Sequence, residues 1–347
     1  MNIERIFATA VIVSAAVVGL SALRPETALA VPVPGAIVVT TTALSLDRDD
    51  PARSSVGALR FLGAVQIRST NRLFGGWSAL RAGTGDRMLS VSDTGNWLAF
   101  RTIERDGRLV GVADAVMTPI MQPDGKPAAT KDAGDAEALE FDPATGDATI
   151  VYEQDHRLVH FAGIDADRPA SLSAVPVRTE RLTAMTGWPS NGGGEAMAVL
   201  PARNGHSARI VISETARRPD GSAPALLTID GQTTEIGITV IADHSPTDAI
   251  ALDDHRILVL NRRFSLSGQG AALAIVDLAP VLDGTALSAP LPMRILARLE
   301  RPLTFDNMEG LAIRRSSGHV FIYLISDDNL NSLQRTILMK FELPDDL

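Results

Sequence analysis

The sequence predicts an all-β protein, a β-propeller with five blades. Three observations support this prediction. A hairpin pattern repeats five times, further β-rich runs usually follow each hairpin, and no segment after residue 30 has the pattern of a long amphipathic helix. Four antiparallel strands per repeat are typical of a propeller blade. The repeats are 53 to 61 residues long, just above the periods of known propellers and arrays.

The clearest hairpin covers residues 305–329, with the sequence FDNMEGLAIRRSSGHVFIYLISDDN. Two apolar runs joined by a short loop that contains glycine predict two paired antiparallel strands. In a hairpin the first strand begins at the end where the second strand finishes. Glu309 is therefore expected to lie near Asp327 and Asp328.

The other hairpins repeat this arrangement of a polar start and a polar end. The positions equivalent to Glu309 are assigned to Ser78, Glu137, Glu195 and Asp248. The hairpin ends carry Asp93, Glu153, Glu214, the pair Arg262-Arg263, and the pair Asp327-Asp328. Since the first strand of each blade lines the central channel, these side chains should surround one channel mouth in an inner and an outer tier.

The ring is expected to close through an N-terminal strand. The last repeat has a third β-rich run, residues 336–343, and then the chain ends. The run at 59–67 should supply the outer strand of this blade and so remove an open sheet edge. Six blades are the alternative, with a degenerate blade built around residues 36–46.

The first 30 residues have the features of a targeting segment. Arg5 precedes an apolar run at 6–23, and Ala28-Leu29-Ala30 is a small-x-small cleavage motif. We expect a Sec-type signal peptide over 1–30, cleavage near Ala30, and a periplasmic or secreted β-propeller domain over 31–347. An uncleaved N-terminal anchor is the alternative.

Composition narrows the possible chemistry and partners. The chain has 347 residues, a net charge of -9 and 4% aromatic residues, and it has no cysteine. Acidic charge and few aromatic residues argue against nucleic acid and anionic membrane as partners. The absence of cysteine excludes disulfides, thiol catalysis and cysteine-ligated zinc. We expect a monomer that binds a small anionic ester or a related ligand.

The acidic inner tier predicts a cation site. Several carboxylates crowded together need a cation, shared protons or basic neighbours. Oxygen ligands favour a hard divalent cation, calcium above magnesium or manganese. The predicted ligands are Glu137, Glu195, Asp248 and Glu309. Alternatively, these acids cap strand ends and connect the blades.

The outer tier supplies candidates for proton transfer and anion binding. Asp93, Glu153, Asp327 and Asp328 are the candidate general acids and bases. Arg262 and Arg263 could bind a phosphate or carboxylate, or could neutralise the adjacent acids. His244 precedes the fourth repeat and is either a general base at the mouth or a loop histidine without a role.

Three motifs near the C-terminus resemble the bacterial family described as "esterase-like activity of phytase". They are D-N-M-E-G-L-A at 306–312, S-D-D-N at 326–329 and Q-R-T-I-L at 334–338. The resemblance extends over residues 75–343 and implies a propeller-like β fold with phosphoesterase or esterase activity. The site residues that it implies are Asp135, Glu137, Glu195, Asp248, Asn307, Glu309, Asp327, Asp328 and Asn329. The first repeat departs from the acidic pattern at Ser78.

Two functions remain open from the sequence. The first is an exported, metal-dependent hydrolase of phosphate or carboxylate esters, with Asn307 and Asn329 assisting the arginines in substrate binding. The second is a non-catalytic propeller that binds a ligand or a protein, with a structural cation or acid ring. Fold alone does not distinguish them, because propellers have both roles.

Overall fold

The computed structural model of this protein describes residues 35–203, 205–265 and 268–344. The expected signal peptide at 1–30 lies outside this part of the chain. The described helices are short: α1 (Lys131–Gly134), α2 (Ala279–Leu282) and two 3-10 helices, Pro169–Ser173 and Thr183–Gly187. Within the described residues, no helix has the length and apolar character needed to cross a membrane.

In the described part of the chain, twenty-three strands form five antiparallel sheets. Before the first repeat lie β1 (Gly35–Ala36), β2 (Val39–Leu44), β3 (Ser55–Val56) and β4 (Leu59–Ser69). Blade 1 contains β5 (Trp77–Ala82), β6 (Arg87–Ser92), β7 (Asn96–Arg105) and β8 (Arg108–Pro119). Blade 2 contains β9 (Ala136–Asp142), β10 (Asp147–Tyr152), β11 (Arg157–Phe161) and β12 (Arg178–Arg181).

Blades 3 to 5 repeat this order. Blade 3 contains β13 (Gly194–Arg203), β14 (His206–Ser213), β15 (Ala223–Ile229) and β16 (Gln232–Ile238). Blade 4 contains β17 (Ser245–Ala251), β18 (Arg256–Ser265), β19 (Gly268–Asp277) and β20 (Met293–Leu299). Blade 5 contains β21 (Asn307–Ser316), β22 (His319–Asp327) and β23 (Thr336–Leu343). The five-bladed propeller predicted from the sequence is confirmed.

The N-terminal strands join the first and last blades. β4 pairs with β23 and is thus the fourth strand of blade 5, while β2 pairs with the outer side of β4. β1 pairs with β8 at the outer edge of blade 1. The segment at 36–46, proposed as the basis of a sixth blade, therefore extends two existing sheets.

The hydrophobic core is divided among the interfaces between blades. The largest cluster joins blades 4 and 5 and includes Leu260, Leu311 and Phe341. Four further clusters lie between blades 5 and 1, 1 and 2, 2 and 3, and 3 and 4. Each sheet is therefore covered on both faces, which explains why strands such as β23 are buried along their whole length. The innermost strands β5, β9, β13, β17 and β21 surround the axis.

Candidate active site at the channel mouth

Every innermost strand has a β-bulge next to its start. In each blade one residue of this strand is left out of the pairing with the second strand, and those residues are Ser78, Glu137, Glu195, Thr247 and Glu309. Bulges bend a strand and redirect a side chain, and they often lie next to active sites. We call these five residues the inner tier. Three of them are glutamates.

A second set of five residues follows from the same register. In each blade the residue just before the bulge pairs with a residue of the second strand, and the next residue of that strand belongs to this set. The five residues are Asp93, Glu153, Glu214, Arg262 and Asp327. We call them the outer tier. Four are acids, so seven of the ten positions in the two tiers carry a carboxylate. Only Arg262 carries a compensating positive charge within the tiers.

Asp248 is not part of the inner tier. Thr247 is the bulged residue of blade 4, and Asp248 lies one position further along, where the other blades have Ala79, Ala138, Ala196 and Gly310. Its carboxylate accepts hydrogen bonds from Arg81 and from the backbone N–H groups of Ala249 and Leu311. The assignment of Asp248 as a cation ligand is therefore replaced by a structural role.

Arg81 fills the channel below the mouth. Its guanidinium donates hydrogen bonds to the carbonyl oxygens of Leu311, Met197 and Ala249 at 2.7–3.0 Å, and it forms ion pairs with Glu140 at 3.3 Å and Asp248 at 2.9 Å. Arg81 lies on β5, and its partners lie on the other four innermost strands, so the side chain connects all five. The side chain is 2% exposed, so the positive charge of the guanidinium is held inside the ring of strands.

Burial raises the pKa of both acids that contact this arginine. The pKa of Glu140 is raised to about 7 and that of Asp248 to about 6, in each case by loss of solvation that the Arg81 charge only partly offsets. Sequence reasoning did not identify Arg81 or Glu140. The signal that could have found them was a charged side chain within the apolar runs W-S-A-L-R-A and A-E-A-L-E-F.

Three acids of blade 2 can approach one cation. Carboxylate oxygens of Asp135, Glu137 and Glu153 all lie within 4.8 Å of one another. Oxygen ligands at 2.3–2.6 Å from a calcium ion would have separations in this range. Asp135 belongs to this group although the inner and outer tiers do not include it. It also accepts hydrogen bonds from Lys131 at 2.8 Å and Gln154 at 3.0 Å.

The acids of the mouth are close enough to affect each other's protonation. Loss of solvation, together with neighbouring carboxylates, raises the pKa of Glu137 and of Glu195 well above the ordinary value. The pKa of Glu309 is raised to about 8 and that of Asp327 to about 7, again chiefly by burial. Burial also raises the pKa of Asp93 and Glu153. The site therefore favours bound protons or a bound cation.

The two adjacent arginines have different environments. Arg262 forms ion pairs with Glu214 at 2.6 Å and Glu309 at 2.7 Å, and it donates to the side-chain oxygen of Asn307 at 3.2 Å. This is the neutralising arrangement that the sequence left open. Arg263 instead pairs with Glu300 at 3.3 Å. Of the two, Arg262 alone is brought to the acidic mouth.

Two predicted site residues stabilise the turn after β22. Asp328 accepts hydrogen bonds from the backbone of Gly76 and Leu330 and from the hydroxyl of Thr336. Asn329 is exposed, and its amide donates to Gln334 at 3.1 Å. Both side chains are thus used in local structure, and neither joins the tiers.

Asn307 and Asp93 have more direct positions at the mouth. The amide of Asn307 donates to Glu309 at 2.9 Å, so it orients this inner-tier acid. One oxygen of Asp93 forms an ion pair with Lys131 at 3.2 Å, while the other is buried with no hydrogen-bond partner among the described residues. This unpartnered oxygen is consistent with a site that accepts a cation or a proton donor.

His244 lies outside the acid cluster. Its Nδ1 is 2.7 Å from the carbonyl oxygen of Ala242. Burial lowers the pKa of His244, the charges of Arg298 and Arg263 lower it further, and the hydrogen bond to Ala242 only partly offsets them. This placement favours a structural loop histidine. A second group of possible metal ligands, Asp253, Asp254 and His255, lies in the turn between β17 and β18, where Arg256 pairs with Asp253 at 2.7 Å.

Solved structures of related shape have distant sequences. A thermostable family-43 glycoside hydrolase is 7% identical, with a TM-score of 0.46, and the match covers 79% of this chain and 92% of that chain. An α-L-arabinofuranosidase from Podospora anserina is 10% identical, with a TM-score of 0.42 and coverages of 84% and 98%. A putative 6-phosphogluconolactonase from Bacteroides fragilis is 13% identical, with a TM-score of 0.35 and coverages of 86% and 79%.

The family of the chain is shown by its sequence. No curated protein matches this chain. The family model for phytase-like proteins, described as "esterase-like activity of phytase", matches residues 72–330. This range begins just before β5 and ends just after β22, so it contains all five innermost strands and both tiers. The chain therefore belongs to the phytase-like family.

Proposed function

We propose that this protein is a metal-dependent hydrolase of phosphate or carboxylate esters, with its site at the acidic mouth of the propeller. The observation that carries the proposal is the pair of tiers, in which seven carboxylates face one arginine. Such a charge excess is costly unless a cation or protons offset it. Membership of the phytase-like family supports ester hydrolysis as the reaction.

Asp135, Glu137 and Glu153 are the proposed cation ligands, since their oxygens can reach one ion. A hard divalent cation, with calcium preferred, would polarise the ester and lower the pKa of a bound water. Glu195 lies close enough to Glu153 to affect the pKa of that acid. Glu195 thus extends the proposed site toward blade 3.

Glu309 is the proposed proton donor. Its pKa of about 8 keeps it protonated near neutral pH, so it can give a proton to a leaving oxygen. Asp327, with a pKa of about 7, is poised to take up or release a proton in the same range. Arg262 holds Glu309 and Glu214 in place, because its guanidinium is engaged by both.

A non-catalytic binding propeller is the second candidate. It is favoured by one observation: Glu153 accepts hydrogen bonds from the backbone N–H groups of Gly192 and Gly193, as a purely structural acid would. In this case a cation would stabilise the ring without taking part in chemistry.

Hydrolysis assays distinguish the two candidates. The protein would be treated with EDTA and supplied with calcium, magnesium or manganese, using bis(p-nitrophenyl) phosphate, p-nitrophenyl phosphate and p-nitrophenyl acetate as substrates. We expect metal-dependent turnover of at least one ester class, with a loss of about a hundredfold or more in Glu137→Gln and Glu309→Gln. Asp254→Asn, in the other acidic group, is the matched control and should retain activity.

The outcome decides between enzyme and binding protein. No turnover with any metal, combined with a calcium-dependent rise in the melting temperature, would reject the hydrolase and support the binding propeller. Equal losses in Asp254→Asn and Glu137→Gln would place the cation effect outside the mouth.

A further inference from the structure

A large cavity lies beside the acidic mouth, between blades 4 and 5. It has a volume of about 700 Å³, within the range of small-molecule sites. Its wall includes the segment just before β21, the segment between β22 and β23, and the end of β18. These are the chain segments at the mouth end of both blades, so the cavity and the acid tiers open on the same side.

The wall of the cavity is connected to the mouth by hydrogen bonds. Arg335 pairs with Asp306 at 3.2 Å, and Asp306 accepts from the backbone N–H of Asn307 at 3.1 Å. Asn307 in turn contacts Arg262 and Glu309 of the tiers. The cavity is therefore adjacent to the acid cluster and has a separate set of side chains.

Two unpaired arginines give the cavity a positive character. Arg48 and Arg301 both line it and are exposed, and within the described part of the chain neither forms an ion pair or a side-chain hydrogen bond. They are held near each other because Asp47 forms a β-bridge with Leu303 and the N–H of Thr304 donates to Leu46 at 2.7 Å. In a protein with a net charge of -9, such a pair is a local concentration of positive charge, and guanidinium groups suit phosphate and carboxylate.

The same cavity presents apolar surface to solvent. Phe264 and Leu333 line it and are 70% and 88% exposed, and the buried residues Leu303 and Phe305 also line it. Large apolar side chains exposed together around a concave site are typical of ligand-binding surfaces. An occupant that covers them while pairing with the guanidinium groups would remove apolar area from water and gain charge-assisted hydrogen bonds.

We propose that this cavity binds small amphipathic anions, in which a phosphate or carboxylate group is attached to a compact apolar or aromatic group. The anionic group pairs with Arg48 and Arg301, and the apolar group packs on Phe264 and Leu333. Two acids line the wall: Asp306 is paired with Arg335, and Asp49 opposes the anion. The site therefore prefers ligands that also supply apolar contact over bare inorganic anions. This proposal does not depend on hydrolysis at the acid tiers.

Calorimetric titration tests the proposal directly, with EDTA present to exclude cation-mediated binding at the mouth. The probes are phenyl phosphate, 3-phenylpropanoate, inorganic phosphate and benzyl alcohol. We expect the two aromatic anions to bind at least about tenfold more tightly than inorganic phosphate, and benzyl alcohol to show no measurable binding. The carboxylate and phosphate probes distinguish which anionic group the arginines prefer.

Variants assign the binding to this cavity. Arg48→Gln with Arg301→Gln should weaken binding of phenyl phosphate by about tenfold or more, because the charge-assisted hydrogen bonds are lost. Phe264→Ser should weaken phenyl phosphate but leave inorganic phosphate unchanged. Arg294→Gln, an exposed arginine at the other end of β20, is the matched control. All the substituted side chains are exposed, so melting temperatures should match that of the wild type.

Three results would overturn the proposal. One is wild-type affinity for phenyl phosphate in the double arginine variant, which would place the anion elsewhere. Another is equal binding of benzyl alcohol and phenyl phosphate, which would show that charge has no part in recognition. Weak binding of all four probes by the wild type would also reject it.

Discussion

At the scale of single residues, the site depends on how one arginine is shared. Arg262 is the fifth member of an outer tier whose other members are acids, and it bridges Glu214 and Glu309. Its charge opposes the rise in pKa that burial imposes on Glu309. The protonation of the proposed proton donor is therefore set by a side chain from another blade.

Replacing Arg262 should shift the titration of Glu309. In Arg262→Gln the opposing positive charge is lost, so we expect the pKa of Glu309 to rise further, by about one unit. The measurement is an NMR titration of glutamate side-chain carbons in the metal-free protein. Arg263→Gln is the matched control, since Arg263 pairs with Glu300. An unchanged or lowered Glu309 pKa in Arg262→Gln would contradict this account of the charge balance.

The sequence reveals residue types more reliably than their register. Glu137, Glu195 and Glu309 were aligned with one another from the sequence because each begins a strongly β-prone run, and all three lie at bulges. In blade 4 the acid of P-T-D-A was aligned with these glutamates, although the bulge falls on Thr247. A bulge shifts the register by one residue and leaves no compositional mark, so the sequence could not distinguish Thr247 from Asp248.

At the scale of elements, close packing at the mouth end of a hairpin positions an acid of the outer tier. Gly76 lies just before β5 with φ of +69°, and a Cβ atom there would overlap a carboxylate oxygen of Asp93. The absence of a side chain at this position allows the outer-tier acid of blade 1 to approach the backbone. Glycine here serves the site as well as the turn.

Gly76→Ala should therefore displace Asp93. Gly85→Ala is a matched control, because Gly85 also has positive φ, +57°, but a Cβ atom added there would meet no other atom within 4 Å. We expect the control to lose about 1 kcal/mol of unfolding free energy from backbone strain, and Gly76→Ala to lose clearly more. Denaturant unfolding measures both. Equal losses would show that the contact with Asp93 has no energetic consequence.

The strand order and ring of hairpins were predictable because binary patterning and turn residues repeat with each blade. The pairing of the short N-terminal strands was less predictable from the sequence. β1 and β2 are separated by two residues yet join different sheets, and no local pattern encodes that division. The cavity between blades 4 and 5 could not be predicted from the sequence either, because Arg48 and Arg301 are 253 residues apart in the chain.

At the scale of the whole molecule, the acids with raised pKa link stability to pH. Four of them, Glu309, Asp327, Glu140 and Asp248, have pKa values of about 8, 7, 7 and 6 in the folded protein. The ordinary value of each is near 4. Between about pH 4 and pH 8 the folded state therefore binds more protons than the unfolded state.

Stability without metal should fall as the pH rises through this window, because folding takes up protons. The pKa of Glu180 is lowered to about 2, so this acid acts below the window. The lowered pKa values of His160 and His244 oppose the trend within the window, but these are two groups against four acids. Thermal melts at pH 5, 6, 7 and 8 in EDTA measure the effect. Excess calcium should reduce the slope if a cation replaces the protons. A melting temperature that rises from pH 5 to pH 8 in EDTA would contradict this prediction.

The position of the Arg81 guanidinium determines how molecules can enter and leave the mouth. It touches all five innermost strands and closes the channel beneath the tiers. The mouth is therefore a pocket with a single opening, and a molecule that enters it must leave by the same opening. Release of one bound molecule and entry of the next would then use the same opening. They could not take place at opposite ends of the channel.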